Sequence, residues 1–229
     1  MIALYELAGA EEDRRFSPYC WRIRMALLHK GLDFETVPWR FTDKQMIAFA
    51  DSEKVPVLSD GDTHIHDSPA IAAYLERAYP DRPALFDGAT AAQSRFIIDW
   101  TECVPQSTLF RLLALDIASH LAEKDRDYYR STREARVGMT LESFCADPQT
   151  QLTAFRAGLE PMRRTLKHQP FLNGERAAWP DYVLFGTFQW ARCVSPMKLL
   201  DESDPVHLWR ERMLDLFDGA GRKAKGYPV

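Results

Sequence analysis

Apolar and polar positions follow two different periods along the first 80 residues. The apolar run IALYEL (2–7) and the alternating run DFETV (33–37) have the character of β-strands. Between them, a Ser-Pro dipeptide typical of a helix start is followed by apolar residues at helical spacing, including Trp21 and Met25. We therefore predict a strand, a helix and a second, parallel strand, joined in the right-handed sense.

The next segments predict a short helix, a hairpin and another helix. Residues 42–50 have helical spacing, and the runs VPVL (55–58) and THIH (63–66) flank an Asp-Gly pair that favours a tight turn. The tripeptide Asp-Ser-Pro at 67–69 then opens an apolar helical segment. The order βαβ, helix, ββ, helix is the thioredoxin-like arrangement.

Beyond about residue 90 the periodicity is only helical. A stretch rich in Pro, Asp and Gly at 81–90 separates the two regions and is interpreted as a linker. We predict an α+β protein, with a thioredoxin-like domain at 1–81 and an all-helical domain at 90–229. Candidate helices cover residues 91–119, 124–145, 151–168, 181–194 and 205–217.

Composition excludes several classes of function. The formal net charge is -4 and no basic stripe is visible, so electrostatics do not favour nucleic acid as a partner. No apolar run approaches the roughly 18 residues that a membrane span needs. The four cysteines are scattered, which is typical of reduced intracellular thiols, and we expect a cytoplasmic protein.

Two short motifs point to a binding site, although each has an ordinary structural explanation. Val55-Pro56 precedes a strand; a cis proline there would present the Val55 backbone to an extended peptide ligand, whereas the dipeptide alone favours a plain edge-strand proline. Asp67-Ser68 begins a helix, where free N–H groups and a hydroxyl can bind a carboxylate, but such residues are also common helix caps.

A third motif, Ser17-Pro18-Tyr19-Cys20, lies where the first strand leads into the first helix. A helix N-terminus stabilises a thiolate through its free N–H groups and its dipole, and a serine hydroxyl can donate one more hydrogen bond. The alternative is a serine that only caps the helix. Cys20 lies three residues after Ser17, where a glutaredoxin has its resolving cysteine. The nucleophilic cysteine that disulfide exchange needs is replaced by Ser17, so we expect Cys20 to be a packing residue.

Together, these motifs and their spacing resemble the glutathione transferase superfamily over nearly the whole chain. The stretches SPYCWR, KVPVL, YPDRPALF and LFDGAGR are most similar to β-etherase-type transferases of bacteria and fungi, which use glutathione to cleave aryl ethers. The resemblance implies glutathione as co-substrate, a hydrophobic, aromatic electrophile and a homodimer.

The resemblance also implies roles for individual residues. Ser17 would hold the glutathione sulfur as a thiolate, and Val55 and Pro56 would pair with the cysteinyl backbone. Asp67 and Ser68 would bind the γ-glutamyl end. Lys44, with Gln45 as a second candidate, would bind the glycyl carboxylate. The pocket for the electrophile is expected between the domains, lined by Phe16, Trp39, Phe41, Trp100, Phe110 and Arg111.

Some features leave alternatives open or depart from the family pattern. The same fold serves non-catalytic binding modules, and a glutathione-dependent isomerase would need the same glutathione site. His64 and His66 share a strand face, but without a third ligand we predict no metal site. Ala178 replaces the Ser or Thr that usually caps a buried helix three residues before Asp181, which predicts a weaker helix end compensated elsewhere.

Overall fold

A computed structural model of the chain describes residues 1–86 and 91–228. Within them, one four-stranded sheet has the order β2-β1-β3-β4. Strand β1 is parallel to β2 and antiparallel to β3, which in turn is antiparallel to β4. The strands are β1 (Ile2–Leu7), β2 (Phe34–Trp39), β3 (Val57–Asp60) and β4 (Thr63–His66). The predicted βαβ unit and hairpin are confirmed.

The helices of this first region begin at residues that the sequence marks. Helix α1 (Pro18–His29) has Ser17 as its N-cap and proline in its first turn, and α2 (Ser68–Ala78) begins directly after Asp67. The helix predicted at 42–50 is a 3₁₀ helix over Lys44–Ala50. It ends at Asp51, whose φ of 51° lies in the left-handed region.

The rest of the described chain is helical, as predicted, but it is divided more finely. The run predicted at 91–119 contains a π-helical segment at Glu102–Gln106 that accommodates Pro105. The run at 124–145 is interrupted at Gly138, which has a φ of 72°. The helices are α3 (Ala91–Thr101), α4 (Ser107–Ser119), α5 (Glu123–Val137), α6 (Leu141–Phe144), α7 (Pro148–Gly158), α8 (Glu160–Leu166), α9 (Trp179–Val194) and α10 (Pro205–Lys223).

Two boundaries differ from the sequence prediction in other ways. Helix α10 continues past residue 217 through a kink at 216–219, where the backbone leaves the helical region. The predicted linker at 81–90 is described only up to Phe86, so its last four residues lie outside the described part. Among the described helices, none has the length and hydropathy that crossing a membrane requires.

Helix α9 forms the centre of the molecule because every one of its 16 residues is buried. It packs on α1, and Gly186 makes that approach possible: a Cβ at Gly186 would overlap the Pro18 carbonyl oxygen and lie 3.1 Å from its carbon. This contact joins the helix that begins at Ser17 to the all-helical region.

The N-terminus of α9 is held by Asp181 rather than by a hydroxyl at Ala178. The buried carboxylate accepts hydrogen bonds from the backbone N–H groups of Leu172 (2.7 Å), Asn173 (3.1 Å) and Ala178 (3.3 Å). It also accepts one from the indole N–H of Trp209 at 2.8 Å. Burial raises the pKa of Asp181, while the four donors favour its charged form. These bonds, which connect α9 to the preceding loop and to α10, compensate for the missing cap.

Candidate functional site

A cleft of about 770 Å³ lies between the sheet region and the helical region. Its walls come from the start of α1 and the segment before it, from the ends of β1 and β2, and from the loop before β3. The helical region contributes the π-helical segment and helices α4, α5, α6, α7 and α9. The residues from the sheet region are Leu7, Phe16, Ser17, Pro18, Tyr19, Trp39, Phe41, Glu53, Lys54 and Val55.

Ser17 lies in this cleft, at the start of α1. Its extended backbone (φ -66°, ψ 126°) turns the side chain back over the first turn, where Oγ accepts a hydrogen bond from the Cys20 N–H at 3.3 Å. The residue is only 4% exposed. Because a hydroxyl has one proton and two lone pairs, this bond leaves the Ser17 proton available for an acceptor in the cleft.

Val55 and Pro56 are joined by a cis peptide bond immediately before β3. Pro56 is buried, whereas Val55 lines the same cleft as Ser17. The ordinary edge-strand proline that the dipeptide alone favours is therefore wrong. Lys54, which precedes Val55, also lines the cleft and is exposed. The sequence analysis did not include Lys54 among the candidates.

Asp67 and Ser68 lie outside the walls of the cleft. Asp67 is exposed, with a φ of 74°, and Ser68 opens α2 with only 1% of its surface exposed. Within the described residues, the buried Ser68 Oγ has no hydrogen-bond partner. Because a buried polar atom without a partner is energetically unfavourable, this hydroxyl and the free N–H groups of the 11-residue helix α2 form a polar site that suits an anion.

Lys44 and Gln45 also lie outside the cleft walls. The Lys44 ammonium is 2.8 Å from the Glu53 carboxylate and 5.6 Å from the centre of the Tyr128 ring, and the ion pair with Glu53 raises the pKa of Lys44. Gln45 is exposed on the 3₁₀ helix. The structure therefore brings Ser17 and Val55 together in one cleft but does not bring Lys44 or Gln45 to its walls.

The expected aromatic wall is present, with one exception. Phe16, Trp39, Phe41, Phe110 and Arg111 line the cleft, but Trp100 does not. The helical region contributes several residues that the sequence analysis did not select. These are Glu102, Gln106, Ser107, Thr108, Ile117, Tyr128, Tyr129, Arg133, Arg136, Val137, Phe144, Gln151, Ala154 and Trp190.

Cys20 is not part of the cleft wall. It is 1% exposed, and burial raises the pKa of its thiol to about 12. A thiol with so high a pKa is protonated near neutral pH and is a poor nucleophile. The expectation that Cys20 is a packing residue is confirmed.

Two family models match the chain, and together they span most of it. The model described as "Glutathione S-transferase, N-terminal domain" matches residues 13–83, and "Glutathione S-transferase, C-terminal domain" matches residues 92–210. Among curated relatives, glutathione S-transferase Z1 of Arabidopsis thaliana is 41% identical over 69 residues, which cover 28% of this chain and 31% of that protein. The alignment thus spans less than a third of that relative's length.

Solved structures share the whole architecture. A glutathione S-transferase of Ceriporiopsis subvermispora, crystallised with glutathione, superposes with a TM-score of 0.83 at 22% identity, covering 95% of this chain and 96% of that one. Glutathione transferase GSTFuA2 of Phanerochaete chrysosporium has a TM-score of 0.77 at 26% identity, with coverage of 95% and 92%. The α+β fold with a thioredoxin-like region followed by a helical region is confirmed, and the chain belongs to the glutathione S-transferase family.

Proposed function

We propose that this protein is an enzyme that conjugates glutathione to a hydrophobic, aromatic electrophile. The observation that carries the proposal is the position of Ser17, at the N-terminus of α1 and in a cleft with aromatic walls. Pockets of this composition suit aromatic compounds. The family membership supports glutathione as the co-substrate, and so do the relatives crystallised with it.

Ser17 activates glutathione as a hydrogen-bond donor. A free thiol has a pKa of roughly 8.5, so most of it is protonated near neutral pH. The Ser17 hydroxyl and the free N–H groups at the start of α1 stabilise the thiolate form and lower that pKa. Cys20 takes no part, because its buried thiol stays protonated.

The peptide part of glutathione binds along the segment before β3 and at the start of α2. The Val55 backbone, set by the cis bond to Pro56, pairs with the cysteinyl residue as an added strand would. Ser68 and Asp67 bind the γ-glutamyl end, and the unpaired, buried Ser68 hydroxyl supports this assignment. For the glycyl carboxylate, Lys44 and Gln45 remain candidates, but Lys54 is favoured because it lines the cleft beside Val55.

A β-aryl ether is the finer proposal for the electrophile. The thiolate attacks the ether carbon, a C–S bond forms as the C–O bond breaks, and the released phenolate takes up a proton from water. Phenolate is an adequate leaving group because phenols have a pKa near 10. The resemblance of the sequence motifs to β-etherase-type transferases supports this substrate class.

We further propose that the protein is a cytoplasmic homodimer, as the family resemblance implies.

Calorimetry with glutathione followed by incubation with a β-aryl ether tests both levels of the proposal. Binding together with release of the phenol supports the transferase and the ether substrate. Binding and conjugation of a generic aryl halide without phenol release supports the transferase and rejects the ether. If glutathione does not bind, the fold serves a non-catalytic module and the proposal is wrong.

A further inference from the structure

Three arginines in the cleft have no acidic partner among the described residues. Arg111 lies on α4, and Arg133 and Arg136 lie on the same face of α5, at i and i+3. Within residues 1–86 and 91–228, no carboxylate lies within ion-pair distance of any of the three guanidinium groups. The one hydrogen bond from their side chains within that part of the chain joins Arg133 to the Thr132 hydroxyl at 2.8 Å.

Aromatic rings hold these guanidinium groups in position. The central carbon of Arg133 lies 4.7 Å from the centre of the Phe41 ring and 4.9 Å from that of Tyr129. Arg136 lies 4.7 Å from the Phe110 ring, and Arg111 lies 4.4 Å from the Phe144 ring. A guanidinium stacked on a ring by its face keeps its N–H edge available for a planar anion.

The two acidic residues among the described cleft walls, Glu53 and Glu102, are already paired with other cations. Glu102 is 2.9 Å from Arg22, which is fully buried behind it, and Glu53 is 2.8 Å from Lys44. On α5 itself, Glu134 is paired with Arg130 at 2.9 Å. The positive charge of the arginine side of the cleft is therefore not neutralised by the described protein.

The surroundings of Arg133 also destabilise its charged form. Burial lowers the pKa of Arg133, and the nearby positive charge of Arg136 lowers it further. A bound anion would offset both effects, because it would supply the missing counter-charge and accept hydrogen bonds from the free N–H groups.

We propose that the electrophile pocket binds an aromatic carboxylate, with Arg133 and Arg136 holding the carboxylate and the neighbouring aromatic rings holding the ring. This inference rests on the proposed function only in naming the ligand as the second substrate; the binding itself can be measured without glutathione. Arg111 and Arg136 lie against the Phe144 and Phe110 rings, which pack at 5.4 Å, and extend the positive surface along this wall.

The test compares 4-chloro-3-nitrobenzoate with its neutral carboxamide in the absence of glutathione. Binding is followed by quenching of tryptophan fluorescence, since Trp39 and Trp190 line the cleft and nitroaromatic rings quench indole emission. We expect the carboxylate to bind about tenfold tighter, in line with a charge-assisted hydrogen bond. High salt should reduce this preference.

Variants of one helix separate the pocket charge from the overall charge. R133Q and R136Q should each remove most of the preference for the carboxylate. Because Arg136 is exposed, R136Q should fold normally, so its effect on binding can be separated from an effect on folding. R130Q removes the same charge from α5 but outside the cleft wall, and it should keep the preference. The inference is overturned if the carboxylate and the carboxamide bind equally well, or if R130Q reduces the preference as much as R133Q and R136Q do. Conjugation assays with glutathione then test the proposed function separately.

Discussion

Ser17 is both a helix cap and the proposed thiol ligand, and the two roles use different parts of one hydroxyl. A lone pair accepts the Cys20 N–H, and the proton remains for the ligand. The sequence could identify the residue because a Ser-Pro pair before an apolar helical run indicates a helix start. It could not separate the cap from the thiol ligand, since that depends on whether the hydroxyl faces a cleft.

Replacing Ser17 with alanine should raise the pKa of bound glutathione and lower turnover by about tenfold or more, the effect of one hydrogen bond to a charged group. Glutathione affinity should change little, because the peptide part binds elsewhere. The thiolate absorbance of the bound tripeptide, titrated against pH, measures this directly. S17T keeps the hydroxyl and the cap and should behave like the natural protein; an unchanged thiol pKa in S17A contradicts the role.

Replacing Ser68 with alanine should weaken glutathione binding by about tenfold while leaving the unliganded protein as stable as before. The physical reason is that the buried Ser68 Oγ has no partner within the described residues, so its loss removes no internal hydrogen bond. Calorimetry and thermal unfolding give the two quantities. S59A is the control: the Ser59 hydroxyl bonds to His64 at 3.0 Å and has no part in the proposed glutathione site, so S59A should leave glutathione affinity unchanged. Unchanged glutathione affinity would count against the assignment.

At the scale of elements, strands and helix starts were predictable, but interruptions within helices were not. The strands have short apolar runs and strong turn signals, and α1, α2 and α10 start at Ser-Pro or Asp-Pro signals. The break between α5 and α6 occurs at Gly138, which lies inside an otherwise helical pattern. Single glycines are tolerated within helices, so hydrophobic periodicity alone does not reveal a change of direction there.

The N-terminus of α9 provides a prediction about stability. The Asp181 backbone N–H already donates a hydrogen bond to the Ala178 carbonyl at 3.0 Å. It therefore does not require a hydroxyl at position 178 as an acceptor. A178S should therefore not bring the gain of about 1 kcal/mol in the free energy of unfolding that a cap usually provides, because the new hydroxyl would be buried without a donor that needs it.

D181A, in contrast, should destabilise the protein by about 3 kcal/mol or more, because it leaves four buried or half-buried donors without their acceptor. Chemical denaturation of both variants measures the comparison. A gain of about 1 kcal/mol in A178S, or an unchanged stability in D181A, would show that the capping interpretation is wrong.

At the scale of the whole molecule, the site depends on how two regions of the chain meet. The sequence predicted Ser17 and Val55 from local motifs, and the structure brings both into one cleft. The sequence did not predict that Arg133 and Trp190 line the cleft, or that Trp100 does not. Helical periodicity indicates which residues share a face of a helix, but not which elements that face contacts. The ion pair of the buried Arg22 with the partly exposed Glu102, at 2.9 Å, is another contact between the sheet region and the helical region.

Gly186 tests this dependence, since two physical effects predict opposite results for its replacement by alanine. Helix propensity alone predicts a gain of about 1 kcal/mol for alanine in the interior of α9. The close approach of α1 predicts a loss, because the new methyl group would overlap the backbone of Pro18, which cannot rotate away as a side chain can. We expect the steric effect to prevail and to lower stability by about 2 kcal/mol, with reduced turnover because α1 carries Ser17.

G158A on α7 is the matched control for this substitution. There the added methyl group would meet only the Val104 side-chain methyl at 2.7 Å, and a side chain can adjust. Thermal unfolding and glutathione conjugation should therefore be affected less in G158A than in G186A. If G186A is instead as stable and as active as the natural protein, the contact between α1 and α9 does not determine the position of Ser17. The cleft geometry must then depend on other contacts between the sheet region and the helical region, such as the pair of Arg22 and Glu102.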